Sequence, residues 1–141
     1  MKRLALSSLL FVSLLLHVVA VQAQTTFPTI NGERARYTAY IEMPRAYVSG
    51  ICVLVNDGAV VKGSLFNEFG LTALDFTYCP RQQKVKLHSV VKMLDKWYVR
   101  RVLRKDLAQL MQCLQQGQTV YRNERRRITY QFTPIAHEIT E

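Results

Sequence analysis

The sequence predicts an α+β domain: a curved antiparallel sheet of about six strands, a half-open barrel, packed against one long C-terminal helix. Between residues 34 and 91 apolar side chains recur at every second position in short runs separated by turn residues, as half-buried strands do. From 94 to 117 the period lengthens to that of one face of a helix, and alternation returns at 125–134. Strands grouped together with a single helix beside them read as a two-layer α+β arrangement.

RARYTAYIE, residues 34–42, alternates with Tyr37, Ala39 and Ile41 on one side, and Pro44 interrupts it. AYVSGICVLVN, 46–56, is rich in β-branched residues and runs into Asn56-Asp57-Gly58, a hairpin signal, so AVVKGSLFNEF, 59–69, is expected to pair antiparallel with it. Gly50 and Gly63 stand inside these strands, where a bulge or sharp curvature is expected. LTALDFTY, 71–78, puts Leu74, Phe76 and Tyr78 on one face; after a turn at Cys79-Pro80-Arg81, KVKLHSVV, 84–91, puts Val85, Leu87 and Val91 inward. The helix carries Val99, Leu103, Leu107, Leu110, Met111 and Leu114 along one stripe, with Asp95 expected to cap its start and Gly117 its end. About 22 residues at 1.5 Å each give a helix of about 33 Å, long enough to cover a sheet. RRRITYQFTP, 125–134, supplies the last strand, with Ile128, Tyr130 and Phe132 on one side.

The chain divides into a leader, 1–23, a loose lead-in segment, 24–33, one domain, 34–134, and a flexible tail, 135–141. The leader has Lys2 and Arg3 ahead of an apolar run from Leu4 to about Val21, with Val21 and Ala23 as the small residues of a cleavage site, so export by signal peptide to the periplasm or cell envelope is expected. Retention of the run as an N-terminal anchor is the alternative, because it is nearly long enough to span a bilayer. Gln24 follows the site where a lipoprotein would have Cys. Without residues 1–23 the chain keeps 17 Lys and Arg against 10 Asp and Glu, a formal charge of +7, which favours anionic surfaces without naming a partner. Cys52, Cys79 and Cys113 are an odd set without a CxxC pair, so no metal site and no cofactor are expected. A Cys52–Cys79 bridge stays open, and free thiols are the expectation.

No constellation carries covalent chemistry. Outside the leader the histidines are His88 on a wet strand face and His137 in the tail, neither beside a Ser or Cys at a motif spacing. Glu68 and Asp75 lie across a turn, a pairing that scattered acids produce by chance. A non-enzymatic protein is therefore expected. Two binding surfaces come forward instead. Lys96, Arg100, Arg104 and Lys105 on the outer helix face, with Arg125, Arg126 and Arg127, form a candidate polyanion patch; for an exported protein the better polyanions are the acidic headgroups of an anionic membrane surface or cell-surface glycans, not nucleic acid. Phe66, Phe76, Tyr78, Tyr130 and Phe132 on the inner sheet face, with Leu103 and Leu107 of the helix, form either an ordinary core or the wall of a slot for a lipid.

The order of short strands, the turn Asn67-Glu68-Phe69-Gly70 followed by Leu74-Asp75-Phe76, and the basic C-terminal helix resemble small exported Bacteroidetes-type proteins and, through them, the lipoprotein-carrier (lipoprotein localisation factor) superfamily, over residues 34–133. That resemblance implies a half-open barrel lidded by helices whose apolar interior binds a lipid or lipoprotein acyl chain. None of the superfamily's functional residues maps onto this sequence. The expectation is thus a lipid- or lipoprotein-acyl-binding carrier-like protein of the bacterial envelope; the alternative is an envelope interaction or scaffold protein with a packed core, which binds anionic surfaces or a protein partner through its basic face.

Overall fold

The structure, a computed structural model, describes residues 26–136. The leader 1–23 and the tail beyond Ala136, His137 included, lie outside the described residues. Seven strands form one antiparallel sheet: β1 (Arg34–Met43), β2 (Ala46–Asn56), β3 (Val61–Asn67), β4 (Thr72–Cys79), β5 (Lys84–Val90), β6 (Val120–Asn123) and β7 (Ile128–Pro134). Their order is β5-β4-β3-β2-β1-β7-β6. Among the described residues one α-helix, α1 (Trp97–Gln115), runs between β5 and β6 and packs against both. Six spacings of about 4.8 Å would place the edges of a flat sheet about 29 Å apart. The sheet instead curls into a half-barrel, and the helix bridges the seam between its two edge strands.

The seventh strand is the one the sequence does not announce. β6 has four residues, of which only Val120 and Tyr121 are apolar, and Val120 is half exposed. It exists because β7 offers it a partner, Val120 opposite Gln131 through Asn123 opposite Ile128. The β6–β7 turn takes Arg125, Arg126 and Arg127 out of the expected strand, which begins only at Ile128. Arg127 closes that turn with φ of 56°.

Alternation fixes the inner face. Ala35, Tyr37, Ala39 and Ile41 of β1, Leu74, Phe76 and Tyr78 of β4, and Tyr130 and Phe132 of β7 are buried. From α1 they meet Leu103, Leu107, Leu110, Met111 and Leu114, in one continuous core. Phe66 corrects the expected wall. The inward set of β3 is Val61, Gly63 and Leu65, so Phe66 falls on the opposite face, paired across from the exposed Ile51. A register shift follows at Leu65/Phe66, and a second at Asp75/Phe76 bends the next pair of strands. Gly63 sits opposite Phe76, and a Cβ there would strike that ring, so the missing side chain lets a phenyl group occupy the bend.

Both helix ends are legible in physical terms. Asp95 is not the cap: Lys96 holds that position without a side-chain bond, a 3-10 turn over Lys92–Leu94 precedes it, and Asp95 accepts from Arg100 at 2.8 Å. Gly117 does end the helix, with φ of 81° and its amide donating to the Leu114 carbonyl at 3.1 Å. Residues 26–33 of the lead-in segment, expected to be loose, are tied down. Phe27 is buried and meets the Tyr78 ring edge-on at 6.4 Å. Asn56 donates to the Pro28 carbonyl at 3.1 Å and accepts from the Gly58 amide at 3.0 Å. Phe27 therefore closes the end of the half-barrel that holds the β2–β3 and β4–β5 turns.

Candidate anion-binding end of the half-barrel

Antiparallel pairing sends the β1–β2, β3–β4 and β6–β7 turns, and the β5–α1 connection, to the other end of the sheet. There the first turns of α1 face the β6–β7 turn across a cleft of about 450 Å³. Trp97, Tyr98, Arg101 and Lys105 line it from the helix, and Arg125 and Arg126 from the turn. A second cleft, of about 570 Å³, continues along the helix past Arg104 to Lys84 of β5; the two share Lys105, Asp106 and Asn123.

Asp106 is the floor common to both clefts and the hinge of the site. It is only 3 % exposed, although the two residues before it, Arg104 and Lys105, are exposed. Tyr130 donates its hydroxyl to Oδ2 at 2.7 Å, and Asn123 donates its amide to Oδ1 at 2.9 Å. The Asn123 oxygen in turn accepts from the Arg126 backbone amide at 3.1 Å. One chain of hydrogen bonds therefore fixes the arginine turn against the helix. Burial pushes the Asp106 carboxyl above its ordinary 3.8, opposed by the bonds from Tyr130 and Asn123 and by the positive charge of Arg126. Burial also drives the Tyr130 phenol well up, and the neighbouring Asp106 charge adds to it, so Tyr130 stays a proton donor.

The expected basic residues separate in space. Lys105, Arg125 and Arg126 come together at the first cleft, and Arg104 stands at the second. Arg100 is engaged by Asp95, Lys96 holds its ammonium 6.0 Å from the Tyr98 ring centroid, and Arg127 is exposed on the turn. Sequence reading missed Arg101, Trp97 and Tyr98. Arg101 lies outside the 96, 100, 104 stripe, but it is four residues before Lys105, the spacing that puts both on one helix face.

The expected lipid wall is packed. Phe76, Tyr78, Tyr130, Phe132, Leu103 and Leu107 all belong to the buried core. Leu103 and Tyr130 also border an opening, an apolar slot of about 190 Å³ beside Met43, Pro44 and Val102. On the outer face Glu68 accepts from Ser49 at 2.9 Å and Asp75 from Ser64 at 2.7 Å, so each carboxylate is taken by its own serine. His88 pairs with Thr77 at 2.6 Å. The three cysteines are free, and burial raises the Cys52 thiol to about 12, which keeps it protonated at neutral pH. Among the described residues no group of three or more His, Cys, Asp or Glu could hold a metal ion, and no helix is long and apolar enough to cross a membrane. No family model, curated protein or solved structure matches the chain, so the likeness to the lipoprotein carriers rests on residue pattern.

Asp106→Ala is expected to cost about 2 kcal/mol of stability, because it strips the buried Tyr130 hydroxyl and the Asn123 amide of their acceptor. The folded pKa of Asp106 lies above the unfolded one, so between the two values the native state holds the extra proton. Its contribution is full below 3.8 and declines as pH rises through the folded value. Urea unfolding across that range should show the variant's deficit largest at acid pH and narrower at neutral pH; a deficit that widens with pH would contradict the assignment.

Proposed function

We propose that the protein is a non-enzymatic interaction module of the cell envelope that binds anionic surfaces through the basic end of its half-barrel. One observation carries this reading. Arg101, Lys105, Arg125 and Arg126 gather at a single cleft, and none has a carboxylate within 4.0 Å among the described residues, where the ion pairs are Lys62–Asp57, Arg100–Asp95 and Arg122–Glu124. The one carboxylate in the cleft, Asp106, already has both oxygens engaged. Cations held together without internal partners are available to an external anion. Each contributes about 1 kcal/mol at an anionic membrane surface, so four supply several kcal/mol, in a form that salt screens.

The filled interior favours this reading over enclosure of an acyl chain between helix and sheet. Helix side chains occupy the concavity, and Phe27 closes its far end. The apolar slot beside Leu103 and Tyr130 is an opening at the expected wall through which an acyl chain would enter, and it gives the carrier reading its support.

Changing Arg125 and Arg126 to Glu should weaken binding to phosphatidylglycerol vesicles by about tenfold or more at low salt and flatten its salt dependence. Wild-type affinity in that double variant would overturn the proposal. In native mass spectrometry after purification the protein is expected at its bare mass; a bound species that releases phospholipid or fatty acid on extraction would favour the carrier instead.

A further inference from the structure

The end of the half-barrel that carries the basic cleft also gathers the protein's exposed apolar side chains. Ten large hydrophobic residues stand exposed among the described residues. Five of them, Phe69, Leu71, Met93, Trp97 and Tyr98, fall within the segments 43–46, 67–72, 91–98 and 123–128 that meet at this end, and a sixth, Tyr47, adjoins them. Phe69 is 85 % exposed and Trp97 76 %. Tyr47, Phe69 and Met93 are far apart in sequence but line one shallow cleft, and Trp97 and Tyr98 line the basic cleft. Among the described residues the closed end exposes no aromatic ring; its exposed large hydrophobic residues are Val120, at the start of β6, and Ile30.

The same end is net positive. The four segments carry six cations, Arg45, Lys92, Lys96, Arg125, Arg126 and Arg127, and three carboxylates, Glu68, Asp95 and Glu124. Every one of those carboxylates is engaged, with Ser49, Arg100 and Arg122 respectively. None of the six cations forms an ion pair among the described residues. Lysines among the arginines, Trp, Tyr, Phe and Met of this end differ from the core of a protein interface, which enriches Arg, Met and aromatics but depletes Lys. They match the boundary of an anionic bilayer, where aromatic rings sit at headgroup depth and cations meet lipid phosphates.

We infer that this end is a docking surface for an anionic lipid bilayer, which the protein approaches end-on, with Phe69, Leu71, Met93 and Trp97 entering the interface and the cations ringing them. The inference rests on the anionic-surface reading above and adds to it the partner, the orientation and an apolar contribution that salt does not screen. The β3–β4 turn is built to present its tip. Asn67 accepts from the Phe69 and Leu71 amides, each at 3.0 Å, and Gly70 takes a φ of 76°, so both side chains are held outward by a turn that needs nothing from them. Substitution of Phe69 and Leu71 therefore leaves the fold intact.

Trp97 is the only tryptophan in the sequence, so fluorescence reports on this end alone. With vesicles of equal parts phosphatidylglycerol and phosphatidylcholine, its emission should shift to the blue and be quenched by acyl chains brominated near the headgroup. The variant with Phe69→Asp and Leu71→Asp should lose about tenfold or more in vesicle affinity and keep it lost at salt concentrations that screen charge. Its binding to heparin, a soluble polyanion, should fall far less. Unquenched Trp97, together with wild-type vesicle binding by the Phe69/Leu71 variant, would overturn end-on insertion. If the Arg125→Glu and Arg126→Glu variant still failed to bind in that case, the anionic-surface reading would stand alone. Heparin binding without any vesicle binding would overturn the bilayer as partner, and binding to neither would remove both readings.

Discussion

A carboxylate buried between helix and sheet is the constraint on which the basic end depends. The half-barrel leaves a seam between β5 and β6, and α1 bridges it chiefly through apolar packing, which sets the helix on the sheet without dictating where a short edge hairpin must lie. Asp106 adds direction. Its two oxygens take Tyr130 from β7 and Asn123 from β6, and Asn123 passes the restraint to the Arg126 amide. Burying a charge is costly unless hydrogen bonds compensate it, and here they also fix the position of the arginine turn against the helix. Without that link β6 would be held by one neighbouring strand and by the packing of Tyr121 against the core and the helix, with Val120 exposed.

The two ends of the half-barrel are specialised in opposite ways. At one, Phe27 packs on Tyr78, Tyr78 donates to Gln115 at 3.1 Å, and Asn56 ties the lead-in segment to the β2–β3 turn. At the other, cations and aromatic rings stand free at the mouth of the helix–hairpin cleft. A stable closed end lets the open end spend side chains on recognition, because the core does not require them. The filled concavity moves the functional weight from the space beneath the helix to the rim beside its first turns.

Much of this was legible in the sequence. Period-two alternation placed Tyr37, Phe76, Tyr78, Tyr130 and Phe132 inward, and the helix stripe placed Leu103, Leu107 and Leu114 against them. Asn56-Asp57-Gly58 marked its hairpin and Gly117 its helix end. The failures have physical causes. Phe66 was assigned inward on bulk, although Gly63 and Leu65 two residues apart already put it on the other face. Asp106 did not stand out, because an acid beside Lys105 is usually solvated, yet it sits three residues after Leu103 and four before Leu110, within the apolar stripe. β6 escaped because a four-residue edge strand is stabilised by its partner more than by its own composition. The aromatic rim could not be read from the sequence, since Tyr47, Phe69 and Met93 come to one cleft, and Trp97 to the same end, only when antiparallel pairing brings four connections together.

Hydrogen exchange on anionic vesicles tests most directly whether one end of the molecule meets the surface. The account predicts slowed exchange in 43–46, 67–72, 91–98 and 123–128, with the turns at 56–61 and 79–84 and the outer sheet face unchanged. Protection centred on the closed end or on the outer face would contradict it, as would an exchange pattern that vesicles leave unaltered.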